Sequence, residues 1–211
     1  MRFSGCLLLA LLLASPVPAH EGEDHSNQAE ALKHLSETPL DTDVTPFPAD
    51  LGGAFTLIDQ TGAVRTQADP DGAMQLFFFG YANCPAICSV ALPTMAEIAD
   101  LAKEAGLPVT PVMITVDPER DTPENMGAPL SDIHEGMIGL TGTEDDLAAV
   151  RKLFRVERKM VFEDPEYGPI FAHGSFIYLM SPAGEVLTLF PPIVSPDRGA
   201  EIVAKYTQSG S

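Results

Sequence analysis

Met74-Gln75-Leu76-Phe77-Phe78-Phe79-Gly80-Tyr81 runs directly into Ala82-Asn83-Cys84-Pro85-Ala86-Ile87-Cys88. The first segment is apolar, of strand length and without polar alternation, which predicts a strand buried on both faces. From Pro85 to Ala105 the pattern changes: Ile87, Leu92, Met95, Ile98, Ala99 and Leu101 follow helical spacing, and Gly106 stands where a helix should stop. A buried strand feeding a helix, with two cysteines at the joint, sets the fold class and marks where chemistry is to be sought.

Working outward, Val109–Val116 is a second buried strand. Asp117-Pro118-Glu119-Arg120-Asp121 then forms a turn stiffened by Pro118, with Asp121 or Thr122 placed to cap the next helix. Met137–Leu140 reads as a short strand. Thr143-Glu144-Asp145-Asp146 resembles a capping box with Asp in the reciprocal position, so Leu147–Phe154 is predicted helical. Arg158–Phe162, Phe176–Met180 and Val186–Phe190 are strand candidates, the last two joined at Ser181-Pro182-Ala183-Gly184, and Asp197–Tyr206 closes as a helix. Upstream, Phe55–Ile58 enters a turn at Asp59-Gln60-Thr61-Gly62 and returns from Val64. This order predicts an α/β fold: a thioredoxin-like mixed sheet flanked by helices, with an N-terminal hairpin and a C-terminal strand hairpin plus helix.

The chain begins with the three parts of an export signal: Arg2, the apolar run Leu7–Ala14, and Val17-Pro18-Ala19 suited to cleavage. Residues 1–19 are therefore read as a cleavable signal that takes Cys6 with it. The run is shorter than the about 20 apolar residues that cross a bilayer. Residues 20–46 are polar and acidic, with His20, His25 and His34, and read as a flexible tail; residues 47–211 form the folded domain. The expected location is the bacterial periplasm. A formal charge of −18 suits cationic partners or metal ions and disfavours nucleic acid.

An oxidising compartment gives Cys84 and Cys88 three possible uses. Four-residue spacing on a first helical turn would place their Cβ atoms about 5–6 Å apart, so the sulfurs can share an ion, act as a redox pair, or close a plain structural disulfide. The helix N-terminus is expected to lower thiol pKa values. Soft thiolates select Cu(I) or Zn(II), and an imidazole would complete a trigonal Cu(I) site. The candidate is His173, in the expected loop Phe171-Ala172-His173-Gly174-Ser175; taken alone, such a histidine is usually a polar loop residue. His20, once at a free N-terminus, offers with His25 a Cu(II) chelate, against the plainer reading of a solvated tail. His134 reads as a surface residue, and Met95 and Met113 as core.

Three separate motifs, Gly80-Tyr81-Ala82-Asn83-Cys84-Pro85-Ala86-Ile87-Cys88, Val116-Asp117-Pro118-Glu119-Arg120-Asp121-Thr122-Pro123 and Ala172-His173-Gly174-Ser175-Phe176-Ile177-Tyr178-Leu179, resemble the Sco (SenC) family of copper chaperones. The resemblance runs from about residue 47 to 207. It implies a thioredoxin-like fold, copper held by Cys84, Cys88 and His173, and a role in assembling the binuclear copper centre of cytochrome c oxidase. The implied partners are the apo copper-centre subunit of that oxidase or another exported cuproprotein, an upstream copper donor and a thiol reductant. Two features depart from the family: Ser89 stands where many members have Pro, and a cleavable signal replaces the membrane anchor of many members.

A second reading is a thiol-disulfide reductase, with Cys84 attacking, Cys88 resolving and a Cys84–Cys88 disulfide as its oxidised form. Three intervening residues instead of two, and a His where thioredoxins place a proline, weigh against general thioredoxin activity. A peroxiredoxin-like peroxidase is a third reading; such enzymes place Thr or Ser where this chain has Tyr81.

Overall fold

The computed structural model describes residues 50–82, 84 and 87–209. The signal, the tail with its histidines and the expected domain start at Phe47 lie outside these residues, as do Asn83, Pro85 and Ala86.

The decisive strand is β3, Met74–Gly80, and all seven of its residues are buried. It lies inside a seven-stranded sheet built with β1 (Thr56–Asp59), β2 (Val64–Thr66), β4 (Val109–Thr115), β5 (Ile138–Thr141), β8 (Ile177–Met180) and β9 (Val186–Phe190), in the order β2-β1-β5-β4-β3-β8-β9. β3, β4 and β5 are parallel neighbours, while β1–β2 and β8–β9 are antiparallel hairpins at the two edges. The mixed sheet and both terminal hairpins are as the element order predicts.

Among the described residues, four helices cover it: α1 (Cys88–Glu104), α2 (Pro123–Ile133), α3 (Glu144–Leu153) and α4 (Pro196–Ser209). α1 buries Cys88, Ala91, Leu92, Met95, Ile98, Ala99 and Ala102, one continuous stripe at helical spacing. Met95 and Met113 are fully buried, as expected of core residues. At α3, the Thr143 hydroxyl accepts from the Asp146 amide at 3.2 Å, the N-cap read in the sequence, and donates to the Asp146 carboxylate at 2.5 Å.

Period-two alternation gives β3 two different faces. Phe77 and Phe79 join Phe55, Phe154 and Tyr178 in an aromatic cluster with ring centroids 5.4–6.3 Å apart. Phe78 and Gly80 point the other way, toward His173 and Cys88.

Three local expectations change. α1 starts at Cys88, with Ile87 as N-cap, so Cys84 precedes the helix and the two cysteines do not share its first turn. Thr122 is the N-cap of α2 but makes no side-chain cap bond, and Asp121 is buried elsewhere. The stretch expected to be a loop at Phe171–His173 is strand: β7 (Gly168–His173) pairs with β6 (Arg158–Asp164) in a separate two-stranded ribbon. His173 is its last residue, paired with Arg158.

Candidate metal centre

The chain leaving β3 carries the cysteines, and the end of β7, just before β8, carries the histidine. β8 runs antiparallel to β3 with Phe77 opposite Tyr178, so the start of β8 lies beside the end of β3. The chain just before β8 carries His173, and the chain just after β3 carries Cys84. Topology thereby brings together Cys88 and His173, 85 positions apart.

The Sγ atoms of Cys84 and Cys88 and a ring nitrogen of His173 all lie within 4.8 Å of one another. Both cysteines are buried thiols, and His173 is half-buried. Nε2 of His173 lies 3.8 Å from Cys88 Sγ. On its other side, Nδ1 lies 2.9 Å from the Gly174 carbonyl, which makes Nδ1 the protonated nitrogen and leaves the Nε2 lone pair facing the sulfurs. The ring stands edge-on to Phe78 and Tyr81, at centroid distances of 5.9 and 6.1 Å.

Gly80 makes room for the second sulfur. A Cβ there would lie 2.9 Å from Cys88 Sγ and 2.8 Å from the Phe78 ring, so only glycine lets α1 seat its first residue this close to β3. The Cys84 amide donates to the Tyr81 carbonyl at 3.2 Å, closing a turn between the strand and the cysteine.

Electrostatics runs against the simple helix-dipole expectation. The Cys88 thiol is pushed well above the ordinary thiol range, first by its hydrogen bond with Cys84, then by burial and by negative charge on Cys84. A helix terminus is worth about 0.3–1 kcal/mol, too little to offset both effects. Metal ligation at Cys88 would displace that proton. Tyr81 is also raised, by burial and then by its contacts with Cys84.

The Asp117–Asp121 turn supports the site from below. Asp121 accepts from the Ala82 amide at 3.0 Å and the Thr115 hydroxyl at 2.7 Å, holding the chain two residues before Cys84. Burial pushes its carboxyl up to about 6, with those two hydrogen bonds pulling the other way.

Among the described residues, two sulfurs and one imidazole converge without a carboxylate, a donor set suited to Cu(I) or Zn(II). The SCO1/SenC family profile matches residues 43–208. The chain belongs to the SCO1/SenC family. Its curated relatives include the mitochondrial SCO2 homologue of Bos taurus, 40% identical over 151 residues, which are 71% of this chain and 55% of that protein. An SCO2-like protein of Rickettsia felis is 37% identical over 66% of this chain and 69% of its own length. The match thus spans little more than half of the bovine relative. Among solved structures, Arabidopsis thaliana ScoI with copper bound superposes at a TM-score of 0.69 with 31% identity, covering 75% of this chain and 99% of that one. Bradyrhizobium japonicum ScoI with copper bound gives 0.65 and 34%, covering 74% and 99%. These comparisons bear out the thioredoxin-like fold and the resemblance carried by the three motifs.

All three ligand candidates of this SCO1/SenC chain meet at one point. His20 and His25 lie outside the described residues. His134 sits apart, half-buried against Asp100 at 3.3 Å. Gly80 and Tyr81 were visible in the sequence only as parts of a motif; no spacing rule announces that one must yield space to a sulfur and the other must back the imidazole.

Proposed function

We propose that this protein is an exported copper chaperone that binds Cu(I) through Cys84, Cys88 and His173. Its task in this reading is to deliver copper to the binuclear copper centre of cytochrome c oxidase, or to prepare the thiols of that centre. The observation that carries the reading is the convergence of two sulfurs and an oriented imidazole nitrogen within 4.8 Å. The copper-bound state of the Arabidopsis and Bradyrhizobium relatives supports it. Copper is cargo here: a three-coordinate soft site holds Cu(I) tightly yet leaves one side open for an incoming thiolate of the recipient. In this reading residues 1–19 direct export and are removed, residues 20–46 are an acidic tail, and the folded domain from residue 47 works in the periplasm. No helix among the described residues is long and apolar enough to cross a membrane.

A second reading rests on the buried pair of thiols in contact with each other. The Cys84 thiolate attacks one sulfur of a target disulfide and displaces the other as a thiolate; Cys88 then resolves the mixed disulfide. The target leaves as a dithiol and its two-electron oxidation is transferred to Cys84–Cys88, which an external thiol reductant must reopen. Oxidation also removes the thiolates that hold copper, so one pair can serve both reactions alternately.

The deciding experiment is an anaerobic Cu(I) titration of the reduced mature chain against a competing chelator, beside Cys84→Ser, Cys88→Ser and His173→Ala. One tight equivalent that needs all three side chains is expected. Affinity unchanged in His173→Ala removes that residue from the site; absence of tight copper leaves the thiol-disulfide reading, in which Cys88→Ser alone must stop turnover.

A further inference from the structure

His173 stands on a ribbon that is not part of the main sheet, and the ribbon needs an anchor to hold it over the cysteines. One side chain supplies bonds at the required place. Arg120, in the turn after β4, directs Nε at the carboxylate of Asp117, which is only 2% exposed. Its Nη1 donates to the Tyr167 carbonyl and its Nη2 to the Pro169 carbonyl at 2.7 Å. Those carbonyls flank Gly168, where β7 begins. The guanidinium also lies 5.3 Å from the centre of the Tyr81 ring, and Tyr81 in turn meets the rings of Phe171 and His173 edge-on.

The ribbon is shaped to receive this group. Gly168 has φ of +71°, and a Cβ there would stand 2.9 Å from Nη1 of Arg120. Three nitrogens of one planar fork are thus used in three directions, which the single ammonium of lysine cannot reproduce. Farther along, Arg158 stacks on Phe171 at 4.0 Å, stiffening the stretch between the anchored end and His173.

We propose that Arg120 is a positioning residue that acts through His173: it locks the β6–β7 ribbon to the Asp117 turn and to Tyr81, and so keeps the imidazole within reach of Cys84 and Cys88. This deepens the metal-site reading given above and rests on it. The sequence motif around Arg120 thereby gains a role that its description as a stiff turn does not contain.

The test is a double-mutant cycle on the full mature chain, read by Cu(I) competition and, without metal, by the imidazole ¹H–¹⁵N signals of His173. Arg120→Lys is expected to lower Cu(I) affinity about 10–100-fold, as loss of a ligand-orienting partner typically does. In a His173→Ala background it is expected to cost nothing further. Gly168→Ala, which crowds the same contact from the ribbon side, is expected to reproduce the loss while leaving Asp117 paired. In the copper-free protein, both variants should shift or broaden the His173 ring signals. Wild-type affinity and unchanged ring signals in Arg120→Lys would overturn the proposal, and so would an equal loss with and without His173, which marks a general effect on the fold. If His173→Ala itself leaves copper binding intact, the metal-site reading fails, and the ring signals of the copper-free variants still decide whether Arg120 positions the imidazole.

Discussion

The two halves of the candidate metal centre stand on unlike ground. The cysteines rest on β3 and α1, where Leu76, Phe77, Phe78 and Phe79 are all at 0% exposure. The histidine rests on the β6–β7 ribbon, where Met160, Val161 and Phe162 are 53–58% exposed. One ligand pair is held by a packed floor and the third by an arm tied down at a few points. A floor resists change because every atom has neighbours; an arm of this kind can be displaced at small cost to the rest of the fold. On the copper-chaperone reading proposed above, in which the metal is passed on, holding one ligand this way eases release.

The largest expected effect is on the floor. Phe79→Ala, deep in the cluster with Phe154 and Tyr178, is expected to cost about 3–5 kcal/mol of unfolding free energy, measured by denaturant titration. A loss below about 1 kcal/mol would mean that β3 is not the rigid platform described. Next comes Asp121, which holds the backbone at Ala82. Its carboxyl titrates at about 6 when folded, above the ordinary value near 3.8. A raised value means the folded state keeps the proton longer, so the contribution of this buried group is fully present below about pH 4 and is lost as pH rises through about 6, a decline on the order of 2–3 kcal/mol. Asp121→Asn should abolish that decline, which melting curves across the same pH interval will reveal; an unchanged slope assigns the titration to another group. The smallest effect belongs to the arm: Phe162→Ser is expected to shift stability by no more than about 0.5 kcal/mol. A loss of several kcal/mol there would erase the contrast between floor and arm.

Much of the floor was legible because its physics is local. An unbroken apolar run predicts a two-sided buried strand, and the structure confirms it residue by residue at β3. The cysteine pair was equally plain. The start of α1 was misplaced because Pro85 satisfies the usual signal for a first helical residue, whereas the buried stripe begins only at Cys88. Thiol acidity was misjudged because a sequence shows a helix terminus but not how deeply the neighbouring sulfur is buried. The arm was the least readable part. β7 opens on Gly168-Pro169 and is solvated enough to lack the alternation of a half-buried strand, so it passed for a loop. His173 was found through the family motif; spacing alone contains nothing that joins it to Cys88. Arg120 lay inside a recognised motif, yet its bonds go to backbone carbonyls 47 and 49 residues away, which no side-chain pattern can advertise.

The antiparallel pairing of β8 with β3 also dictates a sequence of events in time. Cys84 and Cys88 are synthesised well before Tyr178 can take its place beside Phe77. Until that late, long-range closure is made, the protein is a dithiol without its imidazole. In that interval the two thiols lie open to any oxidant, whereas once β8 is in place the imidazole of His173 stands against them.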